Sequence, residues 1–194
     1  MNAQSSPKPK PVCANVDATP DNETEIRLRY SAIRVGVPAG MPTTMLHIGA
    51  EQTVVAVGNG AEPEAMLTIA IGSHKTAADF LKHNPPTPGE LENAIFVVED
   101  EVVRARTMCT EGSTLFTTDA VLREISLIAG APDRPEQILT LDAMERTFER
   151  LAAVTLGRPA SQEGIPDSPA FAATLLILRE FMHHLKFSSI TVKV

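Results

Sequence analysis

The 194-residue sequence has no tryptophan, one tyrosine and seven phenylalanines. So few aromatics leave no obvious platform for stacking unpaired bases, and the core must be mainly aliphatic. Cysteine is scarce. Cys13 and Cys109 are too few for a disulfide framework or a thiolate zinc site, and they fit a reducing, cytoplasmic setting. Basic charge is in deficit: 24 Asp and Glu against 17 Lys and Arg give a formal charge of −7. That disfavours a nucleic-acid backbone or an anionic membrane as partner. No stretch approaches the ~18 apolar residues needed to span a bilayer. The N-terminus lacks the apolar centre of a signal peptide.

Hydrophobic residues make up 43% and charged residues 21%, enough apolar content for a packed core. The length suits one domain, or two at most. Proline is frequent at 15, so element boundaries should be sharply marked. Residues 1–22 hold Pro7, Pro9, Pro11 and Pro20 with Lys8 and Lys10 and few large apolar side chains. They read as a disordered tail, with one folded unit over 23–194.

Within that unit the pattern predicts a helix over 25–34, with Ile26, Tyr30 and Ile33 on one face. Met45–Ile48, Thr53–Val57 and Ala65–Ile71 read as three strands in a meander. A short helix follows, with Ser73 as its N-cap. Thr87-Pro88-Gly89-Glu90 is a capping box that opens the best-defined helix, continuing to Ala105. Met108–Ser113 reads as a buried strand and turn. Helices are expected over 119–129, after Thr140, and after Ser168-Pro169. Ile190, Val192 and Val194 alternate as in a closing strand. The order implies an α/β layered architecture.

Two glycine-containing turns are candidates for presenting N–H groups to phosphate: His47 to Thr53 and Cys109 to Thr114. Taken alone each signal is weak, and an ordinary turn is the simpler reading. The five histidines show no H-x-x-x-H pair, and adjacent His183 and His184 diverge by ~100° on a helix. No metal site is expected from them. Cys109 has no identifiable base nearby and reads as buried and inert. Glu99-Asp100-Glu101 reads as a solvated helix face.

The ordered series of segments resembles the exopolyphosphatase/guanosine pentaphosphate phosphohydrolase (Ppx/GppA) family. Glu25-Ile26-Arg27-Leu28, Val37-Pro38 and Met45–Val57 follow the family's E-E-A-R-L, loop, and D-I-G-G-G-S-T-E hairpin. Ala70-Ile71-Gly72 falls at a P-L-G-like strand end. Asn84 to Leu91 is close to D-P-P-T-P-E-E-L. Gly112-Ser113 falls at an expected G-x-x-G-T turn, and 170–192 resembles the terminal A-G-A-x-I-L-L helix and I-T-V strand. The likeness covers 23–194.

It implies one ribonuclease-H-like lobe of the actin-like ATPase superfamily, a mixed sheet with helices packed on it. The implied lobe is the second of two, with a first lobe expected before Glu23, where only the short tail stands. It also implies a bacterial, cytoplasmic protein acting on polyphosphate or guanosine pentaphosphate, with magnesium if catalysis survives. Glu25 would be the catalytic residue that orients or deprotonates water. Gly49, Thr53, Gly112, Ser113 and Lys75 would hold phosphate.

The motif departs from the family's pattern. His47 replaces the metal-associated Asp. Ala50, Glu51 and Gln52 replace Gly, Gly and Ser, and Val54 replaces the closing Glu. A glycine here allows close backbone approach to phosphate, whereas Glu51 adds a like charge. At ~4 Å and an effective dielectric of ~20 that repulsion is about 4 kcal/mol. This corresponds to roughly a thousandfold in affinity.

The expectation is therefore a degenerate lobe, a pseudoenzyme with a binding or regulatory role. The alternatives are an active phosphoanhydride hydrolase completed by a homodimer or a separate first-lobe chain, and a non-catalytic interaction module.

Overall fold

The computed structural model describes residues 20–193. The expected disordered tail lies outside the described residues, except that helix α1 (Pro20–Arg34) already begins at Pro20. Two i,i+4 ion pairs brace α1, Glu23–Arg27 at 2.8 Å and Glu25–Arg29 at 2.6 Å. Its apolar stripe of Ile26, Tyr30 and Ile33 is fully buried. Arg34 closes the following loop by donating to the carbonyls of Met41 and Asn59.

The meander comprises β1 (Thr43–Ile48), β2 (Thr53–Gly58) and β3 (Ala65–Ile69). Next come α2 (Ser73–Phe80) and α3 (Pro88–Val103). The capping box of α3 forms as expected: Thr87 accepts from the Glu90 N–H, and Glu90 accepts from the Thr87 N–H. The N-cap of α2 is Gly72 rather than Ser73, whose hydroxyl donates instead to the Gly49 carbonyl.

The remaining order is β4 (Thr114–Thr117), α4 (Ala120–Ile128), β5 (Glu136–Thr140), α5 (Leu141–Thr155), the single turn α6 (Ala160–Glu163), α7 (Pro169–His184) and β6 (Ser189–Lys193). The expected strand at Met108–Ser113 is a turn following a 3-10 segment, and the strand proper is the β-prone T-L-F-T just after it. Strand β5 is additional to the expected set. Its Gln137 and Leu139 point inward while Glu136, Ile138 and Thr140 point out, the two-residue alternation of a half-buried strand.

The six strands run in the order β3-β2-β1-β4-β6-β5. β1, β4 and β6 are parallel, while β2, β3 and β5 are antiparallel to their neighbours. Alternate residues of each strand therefore face two separate layers. One face, with Leu46, Val55, Ile69, Leu115 and Ile190, packs under α2, α3, α4, α5 and α7. α7 is buried on nearly all sides, as its continuous apolar sequence requires. The opposite face, with Met45, Val54, Ala56 and Phe116, is covered by α1. Lys193 ties α1 to β6 by donating to the Ile33 carbonyl.

Candidate functional site

Because β1 and β4 are parallel, their C-terminal ends meet at one edge of the sheet. The chain leaves β4 through Thr117-Thr118-Asp119 and enters α4, with Asp119 as N-cap. The Asp119 side chain is only 5% exposed. Its Oδ2 accepts the Ile48 N–H at 2.8 Å. Its Oδ1 accepts from Arg29 at 3.1 Å and lies 2.6 Å from His47 Nδ1. The Arg29 guanidinium also grips Glu25 Oε1 through Nε and Nη2, at 3.0 and 2.6 Å. A continuous chain thus runs Glu25–Arg29–Asp119–His47, joining α1, β1 and the β4–α4 turn.

Strand parity explains the placement. His47 lies on the same face as Met45, under α1, and Arg29 is one helical turn from Glu25. A carboxylate oxygen can only accept, so His47 Nδ1 is the donor to Asp119, and Nε2 is the ring nitrogen outside this contact. That nitrogen faces the β1–β2 turn: a Cβ built on Gly49 would lie 3.5 Å from it. The Arg29 hydrogen bonds and charge hold the Glu25 carboxyl below the ordinary carboxylate range. Glu25 is thus an ionised, paired carboxylate and a weak base. The arrangement orients an imidazole, and all three Arg29 nitrogens already donate to Glu25, Thr118 or Asp119. It offers no pair of free carboxylates.

The other expected site residues are placed unequally. Gly49 stands beside His47, but its N–H donates to the Gln52 carbonyl at 2.9 Å, closing the turn. Thr53 is fully buried and its hydroxyl donates to the Ile71 carbonyl at 2.7 Å. The Ser73 N–H donates to the Gly49 carbonyl, and those of His74 and Lys75 to that of Ala50. The first turn of α2 is therefore occupied by this turn of the chain itself. Lys75 pairs its ammonium with Asp79 at 2.8 Å, a hydrogen bond that raises its pKa.

Gly112 and Ser113 are not brought to this edge. They precede β4, and the Ser113 hydroxyl lies 2.9 Å from that of Thr44 at the start of β1. The five steps along β1 from Thr44 to Gly49 separate them by about 16 Å at ~3.3 Å per residue. One phosphate cannot touch both groups. The turn that does meet Gly49 is Thr117-Thr118-Asp119. Gly112 and Ser113 instead line a cavity of about 720 Å³ with Arg106, Cys109, His184 and Lys186. Burial there pushes the Cys109 thiol up to about 11, consistent with an inert side chain.

Arg29 and Asp119 are the members of the site that sequence patterns do not single out. Arg29 reads as one of several charges on an amphipathic helix. Asp119 reads as an ordinary helix start, and only strand pairing brings it to His47.

The resemblance implies magnesium, and the donors at this edge can be weighed against it. Magnesium takes hard oxygen ligands in near-octahedral geometry. Here both Asp119 oxygens accept protein hydrogen bonds, and the Arg29 cation sits 3.1 Å from one of them. The residues present do not fit that ion.

The sheet is an antiparallel meander, β3-β2-β1, continued by parallel β4 and β6 and closed by antiparallel β5, with helices on both faces, a mixed α/β fold. Solved structures agree. The crystal structure of the Aquifex aeolicus Ppx/GppA phosphatase, type II variant, superposes with a TM-score of 0.70 at 16% identity, over 88% of this chain and 59% of that one. An exopolyphosphatase from Cytophaga hutchinsonii gives a TM-score of 0.66 at 13% identity, over 89% and 59%. The chain thus spans about three fifths of the length of these structures. No protein-family model and no curated protein sequence matches it. Among the described residues no helix is long and apolar enough to cross a membrane.

Proposed function

We propose that the chain is a second-lobe relative of the exopolyphosphatase and pentaphosphate phosphohydrolases in which binding or regulation has replaced most hydrolysis. The observation that carries this reading is the double hydrogen bond from Arg29 to Glu25. The family's base must take or orient a proton of water. A carboxylate paired with a guanidinium, and held below its ordinary pKa, does this poorly.

Two further features agree. His47 replaces a hard oxygen ligand, and its ring is oriented by Asp119. Glu51 adds negative charge to the turn that a phosphate would approach. The ligand class in this reading is the phosphoanhydride anion that the resemblance implies, approaching the β1–β2 turn beside His47.

The test is phosphate release from polyphosphate and from guanosine pentaphosphate, with and without magnesium, beside calorimetric binding of the same anions. Binding without turnover is expected. Turnover that Glu25→Gln abolishes would overturn the reading and restore an active hydrolase. Absence of both binding and turnover would leave the chain as an interaction module and remove the phosphoanhydride ligand.

A further inference from the structure

We propose that Glu99, Glu180 and His184 form a divalent transition-metal site between α3 and α7, at the opposite end of the molecule from the Glu25–His47 edge. Glu180 and His184 are four residues apart on α7 and so share one face. Glu99 reaches them from α3. His184 Nε2 lies 3.0 Å from Glu180 Oε2 and 3.6 Å from Glu99 Oε1. The three donor atoms all lie within 4.8 Å of one another. Ligands at ~2.0–2.2 Å from a tetrahedral ion stand about 3.3–3.6 Å apart. The two measured separations bracket that range, and the third closes by a small movement of Glu99, whose side chain is 44% exposed.

The charge balance calls for a cation. The Glu180 side chain is 2% exposed. Arg179 donates to Glu180 Oε1 at 2.6 Å and to Glu145 Oε2 at 3.0 Å, so one guanidinium serves two carboxylates. Glu145 Oε1 makes no hydrogen bond, with His183 Nδ1 at 3.4 Å beside it. Glu99 brings a third negative charge to the group.

The donor set selects the metal class. One imidazole nitrogen with two carboxylate oxygens suits zinc, manganese, iron or cobalt, whereas magnesium and calcium prefer oxygen alone. His184 is 22% exposed, so the remaining coordination positions open to water. Binding would link α3 to α7.

Cobalt(II) alone is the probe, titrated into the full chain and read by visible absorption and calorimetry, with zinc(II) as competitor. One cobalt per chain, displaced by zinc, is expected. His184→Ala and Glu99→Gln should each weaken binding at least tenfold, the lower end of what losing even an outer partner costs. Both residues are partly exposed, unlike the buried Glu180, so these variants keep the fold, and circular dichroism verifies this. His183→Ala should leave affinity unchanged. Absence of saturable binding overturns the proposal. So does unchanged affinity in either His184→Ala or Glu99→Gln, or an equal loss in His183→Ala.

Discussion

Replacing Asp119 by alanine removes the residue on which the candidate site converges. Its carboxylate is nearly buried and accepts from the Ile48 backbone, Arg29 and His47. Truncation leaves the Ile48 N–H buried without a partner, which costs about 1–3 kcal/mol. It also leaves Arg29 and His47 without their anion. Breaking a buried ion pair from one side costs about 3–5 kcal/mol. Because Arg29 is 30% exposed and can be rehydrated, the two terms overlap, and a total of about 3–5 kcal/mol is expected. With a urea m-value of ~2 kcal/mol per molar, the unfolding midpoint should fall by roughly 1.5–2.5 M.

Asp119→Asn should lose less, since its carbonyl can still accept from Ile48. A cycle pairing Asp119→Ala with Arg29→Ala should show coupling of about 0.5–3 kcal/mol. A shift for Asp119→Ala below ~0.5 kcal/mol, the level of a neutral surface change, would refute the claim that this carboxylate organises the edge.

Two other outcomes follow from the geometry. A Cβ on Gly72 would sit 2.5 Å from the Ala50 carbonyl oxygen. Gly72→Ala should therefore destabilise the fold by about 1–3 kcal/mol, the usual cost of overpacking, read by urea unfolding; an unchanged midpoint would show that α2 is not seated on the turn. Glu90 is held near a pKa of about 2, first by the Thr87 backbone N–H and then by His83, against an ordinary 4.5. The unfolded chain therefore takes up this proton first. The stabilisation is full above pH ~4.5 and is lost as pH falls towards 2. Urea midpoints measured from pH 5 to 2 should fall more steeply for the native protein than for Glu90→Gln. Parallel curves would remove Glu90 from the acid response.

The layered architecture is legible in the sequence because it is written in local terms. The stripe Ile26, Tyr30, Ile33, the box Thr87–Glu90 and the Ser168-Pro169 helix start each depend on neighbours within a turn or two. Strand β5 was also open to reading, since E-Q-I-L-T alternates in and out, but five residues without strong turn signals carry little weight.

The site is a different matter. Glu25, His47 and Gly49 lie in segments whose order resembles a known hairpin, and the structure gathers them at one edge. Gly112 and Ser113 lie in a plausible glycine turn, yet they belong to the other end of β4. A short shift in where β4 begins moves a turn from one end of the sheet to the other, and local composition does not register that shift.

By itself the sequence determined most of the elements, the aliphatic core and the acidic balance, because hydrophobic period and capping act over a few residues. Only the tertiary structure decided that Asp119 holds His47 across 72 residues, that Arg29 reaches Asp119, and that Glu99 meets His184. Those pairings depend on parallel strand register and helix docking, which fix side chains that no local pattern connects.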